Sequence, residues 1–154
     1  MKISIVAIGK LARSPETELT KAYAERAGAV GRALGLGPVE VTEVESRKPG
    51  KAAEAEALRP HLADAHVIAC DEHGQARPSR AFAEEIAALR DRGVRRLVFL
   101  IGGADGLDPA LLGQVSGKLA FGPQTWPHAM ARAMLAEQVY RAVTILAGSP
   151  YHRD

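Results

Sequence analysis

The residues best able to do chemistry are gathered in the last third of the chain. Ser149 to Asp154 reads SPYHRD, which places a phenol (Tyr151), an imidazole (His152) and a guanidinium (Arg153) side by side behind Pro150. Such a trio can stack on a nucleobase, move a proton near neutral pH and hold a phosphate. A solvated tail is the plainer explanation, since chain ends are usually bland and frayed. Upstream, Glu137 and Arg141 have the i,i+4 spacing that pairs side chains along one helix face. An exposed pair of that kind is worth under about 1 kcal/mol and is ordinarily just a solvated face. Two glycine-bearing loops precede them, Gly102-Gly103-Ala104-Asp105-Gly106 and Gly122-Pro123-Gln124-Thr125-Trp126-Pro127. Neither has the spacing of a dinucleotide fingerprint or a P-loop, so neither is built to cradle a chain of phosphates. The prolines of the second loop stiffen it, and its backbone groups could be held ready for a flat polar ligand such as adenine. A tight structural turn explains the first loop equally well, and a plain strand-to-helix connection the second.

Other chemistries find little support. His61, His66, His73, His128 and His152 do not combine with Cys70 into a zinc-ligand spacing, so no metal is expected. No GxSxG elbow is present. Cys70 has no partner for an internal disulfide, fits a reducing compartment and ends an apolar run, which favours a small buried thiol over a reactive one. The net charge of +2 excludes a histone-like polycation. It leaves RNA binding open through local clusters, of which Arg47, Lys48 and Lys51 form one and Arg77 with Arg80 another. No apolar run approaches membrane-spanning length and no signal pattern opens the chain, so a cytoplasmic protein without membrane contact is expected.

The elements that must position these residues alternate between two periodicities. Short apolar, β-branched runs at Lys2–Ile8, Val39–Val44, His66–Cys70, Arg95–Ile101 and Lys118–Phe121 predict strands, the second with one solvated face. Between them, helices are predicted from Pro15 with Ser14 as cap, over residues 52–65 with a break at Pro60, from a cap near Ser79 to Gly93, briefly from Pro109, and from Pro127 to Ala147. Asp71 to Gly74 is predicted as a loop. At 154 residues this is one α/β domain, a mostly parallel sheet with helices on both faces. In such sheets ligands bind beyond the C-terminal strand ends. That is where the loops 71–74, 102–107 and 122–127 fall. The final helix carries Leu135, Val139, Val143 and Leu146 in one stripe, with Met130, Met134 and Tyr140 in addition. This apolar surplus points to a second contact surface such as another subunit, with a plain core helix as the alternative.

LIGGADGL (Leu100–Leu107), TWPHAMARAMLAEQVYRA (Thr125–Ala142) and SPYHRD (Ser149–Asp154) together resemble the RlmH/YbeA-type SPOUT methyltransferases, the pseudouridine N3-methyltransferases of large-subunit rRNA. The resemblance extends over the whole chain in length and element order. It implies a single SPOUT domain with a C-terminal trefoil knot over roughly residues 97–150. It also implies a homodimer, S-adenosylmethionine as cofactor, and a pseudouridine of 23S rRNA within the assembled ribosome as substrate. By position, the cofactor contacts fall on Cys70, Gly103, Gly122, Pro123, Gln124, Thr125, Trp126 and Pro127. Cys70 and Trp126 stand where the family commonly has leucine, and Ala129 where proline is common. These departures touch cofactor packing rather than the reaction. For catalysis, His152 is the first candidate to accept the N3 proton, with His128 the second. Tyr151 and Arg153 would position the nucleotide, and Arg141 and Glu137 would hold the tail or the target. The alternatives are a related enzyme acting on tRNA or another rRNA nucleotide, and a non-catalytic RNA-binding module of the same fold.

Overall fold

The computed structural model describes residues 1–154. Five strands form one sheet in the order β2-β1-β4-β3-β5, and every pair is parallel. They are β1 (Lys2–Ile8), β2 (Val39–Val44), β3 (His66–Ala76), β4 (Arg96–Ile101) and β5 (Gly117–Ala120). The helices are α1 (Pro15–Gly31), α2 (Lys51–Leu58), α3 (Ser79–Asp91), α4 (Pro109–Leu112) and α5 (His128–Leu146). No helix is long and apolar enough to cross a membrane.

The period-2 alternation of the central strands builds two cores at once. Ile3, Ile5 and Ala7 of β1 and Leu97, Phe99 and Ile101 of β4 face one side, where α1, α3 and α5 supply Ala27, Ile86, Leu135 and Val139. Val6, Ile8, Val98 and Leu100 face the other, beneath Ala55 and Leu58 of α2 and Leu111 of α4. The alternative faces of the same strands thus account for a sheet that is apolar on both sides. α5 packs along α1 and α3, so the last helix is bound to the first.

Local signals explain most boundaries. Ser14 accepts a hydrogen bond from the Thr17 amide at 3.2 Å and caps α1 as expected. α2 stops at Leu58 and Pro60 lies in a 3-10 turn (Arg59–His61), the expected break. Three expectations are corrected. Asp71 to Gly74 is not a loop: β3 runs on to Ala76, with a register shift between Cys70 and Gln75 that lets Gln75 and Ala76 pair again with β5. Ser79 does not cap α3 from outside. It is the first helical residue, and its hydroxyl instead donates to Gln138 Oε1 of α5 at 2.8 Å. β2 does not present one clean solvated face, because it is an edge strand only partly covered by α1. Val41 is accordingly exposed.

Candidate active site

A cavity of about 280 Å³ opens beyond the C-terminal ends of β3, β4 and β5. Three segments close it: β3 beyond Cys70, the glycine loop after Ile101, and the loop that leads from β5 into α5. Cys70, Gly103, Gly122, Gln124, Thr125 and Trp126 all line it, so the sequence-assigned cofactor residues converge on one place; Pro123 and Pro127 stand beside it in the same loop. Gly122 takes a φ of +86°, a left-handed conformation that a side chain would strain, which fixes where the second loop leaves the strand. The Trp126 indole donates from Nε1 to Phe121 O at 3.0 Å and staples that loop across its own turn. Gly103 and Gly106 bridge the first loop in the same manner. Burial pushes the Cys70 thiol up to about 12, so it packs as a neutral wall atom.

The electrostatics of the cavity are one-sided. Asp71, Glu72 and Asp105 line it, and no lysine or arginine does. Ile101, Leu107, Leu119 and Phe121 supply apolar wall. A flat nucleoside bearing a positive charge suits these walls; a polyphosphate would be repelled. His128 also lines the cavity, and its Nδ1 is buried without a hydrogen-bond partner.

The remaining sequence-assigned residues form a second group. Glu137 Oε1 accepts from Arg141 Nε at 3.0 Å, Arg141 Nη2 at 2.6 Å and the Tyr151 hydroxyl at 2.9 Å. Gln138 donates to its other oxygen at 2.8 Å. The Glu137–Arg141 pair is therefore a half-buried hub rather than a solvated face. The Arg141 guanidinium also lies 4.9 Å from the Tyr151 ring centre, and Tyr140 packs edge-on to Tyr151 at 4.7 Å. Burial, followed by the hydrogen bonds to Glu137 and Tyr23, holds the Tyr151 phenol well above its ordinary range, so it stays a neutral donor. The tail is docked, not frayed.

His152 is held at both ring nitrogens. Arg141 Nη1 approaches Nδ1 at 3.1 Å and Asp154 Oδ1 approaches Nε2 at 3.1 Å. A guanidinium only donates, so Nδ1 must be the acceptor and Nε2 must carry the proton. The lone pair that would receive a proton is thus engaged by Arg141. Arg80 closes the chain of contacts by forking onto Asp154, with Nε to Oδ1 at 2.8 Å. Of the basic residues proposed for RNA, Arg80 and Arg77 are consumed by acids, Arg77 by Glu85. Arg153 is exposed.

None of Glu137, Arg141, Tyr151, His152 or Arg153 lines the cavity. From Ala131 at its edge to Arg141 the straight run of α5 covers about 15 Å at 1.5 Å per residue. The sequence-assigned residues thus fall into two groups, set well apart along one helix.

One buried charge escaped the sequence reading. Arg132 is 1% exposed, and its guanidinium donates to Ile8 O at 2.5 Å, Gly9 O at 2.8 Å and Glu43 Oε2 at 2.9 Å. Glu43 also accepts from the Leu11 amide at 2.6 Å. Burial is the main influence on this guanidinium and lowers its pKa, with Glu43 opposing. The node ties the first turns of α5 to the ends of β1 and β2, next to the cavity. Its signal was available: Arg132 falls in the same helical stripe as Leu135, Val139 and Val143.

Comparison with known proteins adds an independent line. Residues 1–152 match the family described as "Predicted SPOUT methyltransferase". Over 154 residues and the full length of both chains, 86% of positions are identical to "Ribosomal RNA large subunit methyltransferase H" of Phenylobacterium zucineum (strain HLK1). The protein of the same name in Caulobacter sp. (strain K31) is 73% identical, again over the full length of both. Among solved structures, a probable methylase family protein from Haemophilus influenzae Rd KW20 superposes with a TM-score of 0.56. It is 17% identical, and the match covers 99% of this chain and 70% of that one, a likeness of fold.

Proposed function

The chain belongs to the SPOUT methyltransferase family, and from that premise we propose that it transfers a methyl group from S-adenosylmethionine to N3 of a pseudouridine in 23S rRNA, on the assembled ribosome and in the cytoplasm. One observation carries the reading: the cavity walled by the two glycine loops holds acidic and apolar groups and no cation, as a sulfonium nucleoside requires. The name shared by the two bacterial relatives supports rRNA as the substrate.

When bound, S-adenosylmethionine supplies an electrophilic methyl group that needs no covalent help from the protein. The chain's own work is to hold and align. Backbone groups of Gly103 and of Gly122 to Pro127 would hold the nucleoside, Cys70 would pack against it, and Asp71, Glu72 and Asp105 would favour its charge. On the acceptor side, N3 of pseudouridine carries a proton that must leave as the methyl arrives. Tyr151 and Arg153 would seat the base. Arg141 would turn from His152 to a carbonyl of the base, stabilising the developing imide anion and freeing the His152 lone pair for the proton.

The separation of the two groups supports a homodimer in which the tail of one protomer serves the cavity of the other. The apolar surplus of α5, with Met130 exposed, supports the same assembly. We also read residues 97–150 as the knotted part of a single domain. Membership of the SPOUT family supports that reading. The deciding experiment is mass spectrometry of 23S rRNA after incubating ribosomes, enzyme and labelled cofactor. Label in one pseudouridine-containing fragment is expected; label elsewhere, or none, refutes the reading. In that assay His152→Ala is expected to lose most activity, and a wild-type rate would remove His152 as the base.

A further inference from the structure

Across Gly103 from the cofactor cavity lies a second depression, about 570 Å³, between the β1–α1 and β2–α2 connections. Lys10, Ser46, Arg47, Lys48 and Glu54 are among the residues that line it. A Cβ on Gly103 would lie 3.2 Å and 3.4 Å from the two Glu54 carboxylate oxygens. Glu54 and Gly103 are therefore the wall that groove and cavity share.

Ion pairing sorts the cations around the site. Arg77 and Arg80 are held by Glu85 and Asp154, and Lys10 lies 3.5 Å from Glu45. Arg47, Lys48 and Lys51 are exposed and no carboxylate lies within ion-pair distance of them. The turn that carries Arg47 and Lys48 is braced along its backbone. The Ser46 hydroxyl donates to Lys48 O at 2.6 Å and accepts from the Lys48 amide at 3.4 Å, which closes the turn on itself. Unpaired cations on a fixed turn at the mouth of a groove suit a polyanion. Glu54 at the other end repels one. The groove is thus polarised, favouring a phosphate at Arg47 and Lys48 and disfavouring it at the Gly103 wall.

We propose that this groove seats the RNA strand carrying the target nucleotide, with Arg47 and Lys48 on a backbone phosphate and Glu54 keeping the backbone off the cofactor wall. The proposal rests on the rRNA reading above. It predicts opposite signs for substitutions at the two ends.

The test measures binding of the full-length chain to ribosomes over a series of salt concentrations, with S-adenosylmethionine affinity followed by calorimetry. Arg47→Ala/Lys48→Ala is expected to bind ribosomes roughly tenfold more weakly at low salt, with a log–log salt slope shallower by about 0.7–0.9 for the one phosphate no longer neutralised. Glu54→Gln is expected to bind ribosomes more tightly, Arg77→Ala to match wild type, and cofactor affinity to stay unchanged in the Arg47→Ala/Lys48→Ala and Arg77→Ala chains. An unchanged affinity and slope for the double variant, an equal loss for Arg77→Ala, or weaker binding by Glu54→Gln each overturns the groove. A wild-type chain that binds S-adenosylmethionine but neither binds nor methylates ribosomes overturns the rRNA reading and the groove with it. A wild-type chain that methylates normally while the double variant behaves identically overturns the groove alone.

Discussion

Replacing Arg132 by methionine separates its hydrogen bonds from its bulk. Methionine keeps much of the volume and removes every donor. Ile8 O and Gly9 O then lose the guanidinium, as does Glu43 Oε2, which keeps only the Leu11 amide. Removing one member of a buried ion pair costs about 3–5 kcal/mol when the survivor stays buried. The Glu43 side chain is 32% exposed, so water can recover part of its loss, while a buried carbonyl left alone costs about 1–3 kcal/mol. The lower end of the first range, about 3 kcal/mol, is the expected destabilisation. The assay is urea unfolding at fixed protein concentration, where the midpoint should fall at unchanged m. A second variant sharpens the reasoning. Arg132→Met/Glu43→Leu removes the stranded carboxylate but not the stranded carbonyls, so it should recover only about 1 kcal/mol of the loss. An Arg132→Met chain within about 1 kcal/mol of wild type, or a double variant fully restored, would refute the carbonyl-centred account.

Further outcomes follow from the separated site residues and from the perturbed groups. A chain lacking residues 149–154 and a Gly122→Val chain should each be inactive alone, yet a 1:1 mixture should regain about a quarter of the wild-type sites if tails act across a two-fold interface; no recovery after subunit exchange would place the tail in its own chain's site. Cys70 is partly exposed on the cavity wall, and its raised pKa should make it react with an aromatic disulfide reagent at pH 8 more slowly in the native than in the urea-unfolded chain; equal rates would refute that shift. Because its raised folded-state pKa favours the neutral thiol, that contribution is complete below about 8.5 and is lost as pH climbs toward about 12. Hydrogen bonding to Arg80, the largest influence, holds the Asp154 carboxyl below its ordinary range. Its docking contribution should then be complete above about pH 3.9 and vanish as pH falls through the lowered value. Tyr151 ring resonances followed by NMR would report the tail's release, and a tail unmoved throughout that descent would contradict the pairing.

Periodicity made the sheet legible, because a two-sided core demands apolar runs of strand length and Lys2–Ile8 and Arg96–Ile101 have few other fates. The positions of the two glycine loops were legible for a different reason, since each follows an apolar strand directly, whereas the cofactor role came only from the family resemblance. What escaped notice depended on partners distant in sequence. The Ser79 hydroxyl serves Gln138 of α5 rather than its own helix start, and no local pattern contains that information. The extension of β3 past Cys70 needs β5 on its other side to accept Gln75 and Ala76. Arg80 read as a phosphate ligand until Asp154 came beside it. Likewise, spacing alone placed Glu137 and Arg141 on one face, but the inward docking of Tyr151 and His152 is what made the pair a hub.

The packing of α5 on α1 bears on how the protein is made. Ile3 and Ile5 share a core with Leu135, Val139 and Val143, which are synthesised far later. The sheet is wholly parallel, so its pairings also join distant parts of the chain. A nascent chain therefore carries an unsealed apolar face until α5 has been made, and the core closes only then. Slowed translation of the last third should prolong that exposed state and with it the demand for chaperones.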